Sequence, residues 1–217
     1  MSRKQPVPIN KEDFEKMLEE AKKQRDAYWK PRAKRFTPSG ERLQDYIIGM
    51  CLGFGSGMRI SEIFGLSKKT KYHYKMKNVT QVQNKVIITN IPALTFDRVE
   101  EKFIRIISGK GKKDRTVPLP SKLFRKAGIT RLELKRKLPL KTSYRSMESY
   151  ITALGLKVLN KHITFHMLRH GFITELLNSG MPTHQVQIFS GHSRLDTLGI
   201  YAHANPKDAL DKYEEIF

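Results

Sequence analysis

The chain opens its pattern with "PINKEDFEKMLEEAKKQ", where Phe14, Leu18 and Ala21 recur at helical spacing. Asn10 is placed to cap the helix, and Glu12 and Asp13 fall in its first turn, where acids favour the exposed N–H groups. "RDAYWKPRAKRFTPSG" then interrupts the period with two prolines and a glycine and carries five basic residues, which predicts a basic loop. "ERLQDYIIGMCLGF" restores the period with apolar residues at 43, 46, 47, 50, 51 and 54, the stripe of a buried helix. "GSGM" ends it, and "RISEIFGL" begins a shorter one.

Residues 68–77, "KKTKYHYKMK", hold five lysines, two tyrosines and a histidine. They read either as a solvated loop or as a run that meets a phosphate backbone through Lys68, Lys69, Lys71, Lys75 and Lys77. The next pieces are β-rich: "KVIITNI", then "EKFIRIIS" and "DRTVPL", the last two joined by "GKGKK" as a hairpin. Helical patterns follow at about 121–127, 142–157, 167–179, 182–190 and 206–217, the last with Asn205 as cap and Pro206 at the first helical position. No internal repeat or long linker is present. The expectation is one α+β domain over 1–217, mainly helical with a small antiparallel sheet.

Charge narrows the function. Lys and Arg number 41 against 21 acids, a net charge of +20 over 217 residues. Such an excess points to a polyanion, nucleic acid before an anionic membrane surface. No segment approaches the roughly 20 apolar residues of a membrane span, and "MSRKQPVPINKEDF" has no apolar run of a signal peptide. The single cysteine, Cys51, excludes an internal disulfide and a cysteine zinc cluster, and its apolar helical setting predicts a small buried residue in a reducing compartment.

Candidate chemistry concentrates in "KHITFHMLRHGFITELL". In a helix beginning near Phe165, His166 and Arg169 lie three apart and His170 four on from His166, with Leu168, Phe172 and Leu176 on the core-facing stripe. Three readings compete: histidines satisfying local backbone groups, a metal site, and an anion site. An arginine beside the histidines repels a cation, which counts against metal. Arg offers a planar fork suited to phosphate oxygens, and His moves protons near neutral pH. "GSGMRISEIFGL" puts Arg59 at a helix start, where unpaired N–H groups also favour an anion; the plainer reading is an Arg59–Glu62 pair at i, i+3. "GKGKKDR" puts Lys110 at a hairpin tip, with turn solubility as its plainer reading. "FSGHSRLDTLGIYAHA" puts His192 just after a stop at Gly191 and Tyr201 nine residues on.

In this order, the Gly-Met-Arg-Ile-Ser-Glu box, the Gly-Lys-Gly hairpin, the His-x-Leu-Arg-His box, the Gly-His pair and the following Tyr resemble the catalytic domain of the tyrosine recombinases, the integrase family of site-specific DNA recombinases. The match runs from about residue 8 to the end. The resemblance implies Arg59 and Arg169 as a phosphate clamp, and Lys110, His166 and His192 as proton-transfer or phosphate-contacting groups. It implies Tyr201 as the nucleophile, with Glu62 and His170 in support. Lys112 and Lys113 compete with Lys110 for the role of acid. The implied reaction cuts and rejoins double-stranded DNA through a 3′-phosphotyrosyl link without metal, ATP or other cofactor. The resemblance also implies self-association as a tetramer on DNA, with helix 206–217 docking in trans, and a cytoplasmic, nucleoid-associated setting. Packing of that helix on its own core is the alternative.

Several features depart from the family pattern. The N-terminal core-binding domain is expected to be missing, as in a short natural recombinase or a piece of a longer chain. The stretch 68–105 is longer than usual. Phe165 stands where proline is common, and Ser190 where leucine is common. A type IB topoisomerase-like enzyme and a non-catalytic DNA-binding module share enough of these features to stand as alternatives.

Overall fold

The computed structural model describes residues 9–29, 38–75, 82–107, 114–191 and 213–214. Helix α1 spans Lys11–Trp29. Its start is set as the sequence predicts: the Asp13 N–H donates to Asn10 Oδ1 at 2.8 Å. Phe14, Leu18 and Ala21 are buried, joined by Met17. The helix continues through Arg25–Trp29, where a loop is expected from the basic stretch. None of those residues breaks a helix, and the first proline comes only at 31.

Helix α2, Pro38–Gly55, buries Leu43, Ile47, Met50, Cys51 and Phe54, and its Phe54 ring stacks on Phe14 with centroids 4.1 Å apart. Each such ring removed from water contributes about 2–3 kcal/mol, so this pair anchors α1 to α2. Cys51 is buried as expected, and burial pushes its thiol up to about 12. Helix α3 is one short turn, Ile60–Phe64.

Strand β1, Leu66–Lys75, pairs antiparallel with β2, Val82–Ile91. Residues 68–75 are therefore strand rather than loop. Thr70, Tyr72 and Tyr74 alternate with Lys71, His73 and Lys75 at the strand period of two, and a 3₁₀ turn follows at Phe96–Arg98. Strands β3, Phe103–Ile106, and β4, Arg115–Pro118, form the expected hairpin pairing, with Ile104 opposite Val117. The two pairs are separate sheets rather than one.

Helices α4, Ser121–Lys126, α5, Arg131–Lys137, α6, Tyr144–Leu159, α7, Phe165–Asn178, and α8, Thr183–Ser190, complete the described elements. All but α5 are expected from the sequence. Helices α1 and α7 both pack on α2, and α8 packs on β4. No helix among the described residues is long and apolar enough to cross a membrane. Of the tail, Tyr213 and Glu214 are described. Tyr213 is buried in the chain's own core, its hydroxyl donating to Gly55 O at 2.7 Å, and Glu214 pairs with Lys102 at 3.1 Å.

Candidate active site

The site begins where α2 stops. Ser56 and Met58 both send their N–H groups back to Leu52 O, at 3.2 and 3.3 Å, and Gly57 turns the chain with φ +61°. A Cβ at Gly57 would lie 2.4 Å from Phe172 Cδ1, so both the left-handed backbone and the close approach of α7 require glycine. The turn delivers Arg59 to the position just before α3.

One carboxylate lies at the centre of the site. Glu62, with a fully buried side chain, accepts from the Arg59 N–H at 2.8 Å through Oε2 and from Arg59 Nη1 at 2.9 Å through Oε1. The expected i, i+3 pair is thus present, and Glu62 rather than an external anion takes the N–H of Arg59. Arg115, from β4, closes on the same carboxylate with both prongs of its fork, Nη1 to Oε1 at 2.8 Å and Nη2 to Oε2 at 2.7 Å. Burial works to raise the pKa of Glu62, but the Arg115 and Arg59 guanidiniums outweigh it and hold the group below its ordinary range.

The end of α8 holds the site from the other side. Its last carbonyls have no partner within the helix and carry the negative end of its dipole. Phe189 O accepts from Arg115 Nε at 3.0 Å, and Ser190 O accepts from Arg169 Nη2. Gly191 ends the helix with φ +57°, and a Cβ there would lie 2.8 Å from Arg115 Cδ. This residue must therefore be small as well as left-handed.

Arg169 Nη1 donates to Gly57 O, which ties α7 to the turn before Arg59 across 112 positions of sequence. Arg169 is 1% exposed. Burial, then the Arg59 and Arg115 guanidiniums, push its pKa down to about 9, which leaves it charged at neutral pH. Arg59 and Arg115 thus share one carboxylate, Arg169 adds a third positive charge beside them, and the cluster among the described residues stays net positive. Arg169 does not share an open face with His166, as the helical spacing predicts; it turns beneath the surface. His166 is exposed and His170 half-buried, their rings 4.4 Å apart and edge to face. Burial, then the Arg169 charge, lower the pKa of His170, so it is neutral at pH 7. Leu168, Phe172 and Leu176 are buried, as predicted.

The structure brings together Arg59, Glu62 and Arg169, with His166 and His170 on the helix that carries Arg169. Lys110, Lys112, Lys113, His192, Tyr201 and Lys77 lie outside the described residues. Lys68, Lys69, Lys71 and Lys75 lie on β1, opposite Thr89, Ile88, Val86 and Val82 of β2. Arg115 is the residue that sequence reasoning misses. Its partners are a carboxylate 53 residues away and a main-chain carbonyl 74 away, and neither leaves a periodic signal.

The phage integrase family model matches residues 9–208. A tyrosine recombinase of Pseudothermotoga lettingae is 36% identical over 125 residues, covering 52% of this chain and 43% of that protein. Tyrosine recombinase XerA of Pyrococcus furiosus is 27% identical over 189 residues, covering 80% of this chain and 55% of that protein. The chain spans about half the length of these relatives. Among solved structures, the integrase of mycobacterium phage Brujita shares the fold with a TM-score of 0.59 at 16% identity, covering all of this chain and 60% of that one. The XerH site-specific recombinase, in a pre-cleavage complex with its difH substrate, gives 0.54 at 20% identity, covering all of this chain and 55% of that one. On the extent of the family match, the chain belongs to the phage integrase family, a family of tyrosine recombinases.

Proposed function

We propose that this chain carries the strand-transfer chemistry of a site-specific DNA recombinase, with double-stranded DNA as substrate. One observation carries the reading: Arg169 reaches back to the carbonyl of Gly57, so two boxes remote in sequence build one net-positive cluster. A phosphodiester resists attack because its charge repels nucleophiles. Arg59 and Arg169 act together as the phosphate clamp, Arg59 from the more open side and Arg169 by its charge from beneath, and so stabilise the pentacoordinate transition state. The Tyr201 oxygen bonds to phosphorus as its proton passes to His166. The bond from phosphorus to the 5′ oxygen breaks, and Lys110 protonates the leaving oxygen. His192 contacts the phosphate. The product is a 3′-phosphotyrosyl diester and a free 5′ hydroxyl. A 5′ hydroxyl from a second strand reverses the step, so the cycle needs no ATP. The guanidinium cluster supplies the positive charge for which a metal would otherwise serve.

Recombination joins two duplexes, so the reading includes assembly of several copies on DNA as a tetramer; docking of the tail helix in trans would require Tyr213 to leave its place in the chain's own core. Lys68, Lys69, Lys71, Lys75 and Lys77 lie along the DNA backbone. The test is a nicked suicide DNA substrate incubated in excess chelator. Wild type is expected to form a covalent protein–DNA adduct, and Tyr201→Phe none. Equal adduct from both would show that Tyr201 is not the nucleophile. Relaxation of a supercoiled plasmid that lacks any recombination site would favour a topoisomerase instead, and DNA binding with no adduct under any condition would favour an accessory module.

A further inference from the structure

We propose that Arg115 is a positioning residue for strand cleavage, one that keeps Arg59 available to the scissile phosphate. This inference rests on the recombinase reading and deepens it.

Glu62 and Arg59 alone would be a self-satisfied pair. A carboxylate and a guanidinium prefer to meet fork on fork, and in that geometry each cancels the charge of the other. Arg59 would then have little pull left for an external anion. In the structure the fork-on-fork position is already filled. Arg115 occupies both Glu62 oxygens through two nitrogens, and Arg59 touches the carboxylate through a single guanidinium nitrogen. Exposure follows the same division: the Arg115 side chain is 9% exposed and that of Arg59 20%. The inner arginine neutralises the carboxylate, and the outer one keeps its charge.

Arg115 also sets a spacing. Its third donor, Nε, holds Phe189 O, one residue before the Ser190 carbonyl that holds Arg169. A single guanidinium thus joins the Arg59 turn to the end of α8, and His192 is the second residue of sequence after that helix. The bare Cα of Gly191 leaves room for the Arg115 stem. Lysine does not reproduce this arrangement. One ammonium on a flexible stem cannot span two carboxylate oxygens and a carbonyl in a fixed plane.

The experiment compares single-turnover cleavage of two nicked suicide substrates. One carries the natural scissile phosphate, and the other a methylphosphonate there, which removes one negative charge. On the natural substrate, Arg115→Met is expected to cleave about 100-fold more slowly than wild type, with DNA affinity unchanged at matched salt. On the methylphosphonate most of that deficit should disappear, because there is less charge for Arg59 to offset. Wild-type cleavage by Arg115→Met, or the same deficit on both substrates, would overturn the role. The second of these results is what a purely structural part would give. If Arg115→Met does not fold, Arg115→Lys answers the same question through the same ratio, with a smaller loss on the natural substrate. A wild-type chain that forms no adduct on either substrate would overturn the recombinase reading and this inference with it. A reactive wild type beside an unaffected Arg115 variant overturns the inference alone.

Discussion

Two groups of ion pairs in this molecule use the same chemistry to different ends. Along α1, acids meet lysines one to one at the surface: Glu12 with Lys16 at 2.7 Å, Glu15 with Lys126 at 2.6 Å, Glu20 with Lys157 at 2.6 Å, and Asp13 with Lys161 at 2.7 Å. At the candidate site a single buried carboxylate serves Arg59 and Arg115, with Arg169 beside them. The lysines of the α1 pairs are 53–62% exposed, whereas the Glu62 side chain is fully enclosed. The pairs on α1 balance and are screened by water; the buried set is unbalanced and shielded from it. A short distance alone therefore does not mark a functional charge. Burial together with an excess of one sign does.

That contrast can be broken at several points. The largest effect is expected at Arg169. Arg169→Lys keeps a charge but loses the fork that reaches both Gly57 O and Ser190 O. It should slow adduct formation on the suicide substrate by about 10²–10³-fold. Next is Glu62→Gln, which leaves two partly buried guanidiniums without their counter-ion and should cost about 3 kcal/mol in a urea unfolding titration.

The pH dependence carries the same information. Glu62 has a folded pKa below its ordinary 4.5. Its contribution is therefore fully present above 4.5 and is lost as pH falls through the folded value. Wild-type stability should decline on acidification below about 4.5, and Glu62→Gln should flatten that limb. His170 titrates in a window that opens at a higher pH. Its pKa also lies below the ordinary 6.5, so the stability it links is complete above 6.5 and falls as pH drops through its folded value. His170→Gln should remove that slope, and comparing the two profiles assigns each window to its residue.

Gly191→Ala places a side chain in a left-handed conformation and against Arg115 Cδ. It should cost about 1–2 kcal/mol and slow cleavage with it. The smallest effect belongs to the surface set: Lys126→Ala, which breaks the exposed pair with Glu15, should change stability by less than about 1 kcal/mol. A surface variant as damaging as Glu62→Gln would erase the distinction between the two groups.

Much of the fold is legible in the sequence, and the reasons are physical. The stripes of α1 and α2 bury one face each, and a repeat of 3.6 records that directly, as Phe14, Leu18, Ile47 and Phe54 show. The end of α8 and the turn at Gly57 announce themselves through glycine. Other features are readable but outweighed. Five lysines in 68–77 hide the alternation of Thr70, Tyr72 and Tyr74, because charge draws attention to solvent before period does. Helix α5 carries its own signal, Thr130 with Glu133 three residues on; Thr130 Oγ1 accepts from the Glu133 N–H at 3.2 Å, while Glu133 reaches back to the Thr130 N–H at 2.7 Å. Arg115 is of another kind. Nothing local specifies that an arginine at the start of β4 will close on Glu62 or on the end of α8. Only the packing of β4 against α8 creates the meeting.

The most direct measurement is a double-substitution cycle on cleavage rate, using Arg59→Lys, Arg169→Lys and the two combined. If both arginines act on one phosphate charge, the first loss disables the clamp and the second adds little, so the combined variant should be far faster than the product of the single losses predicts. Losses that multiply independently would mean that the two guanidiniums do not serve a single reacting group, and would contradict the account.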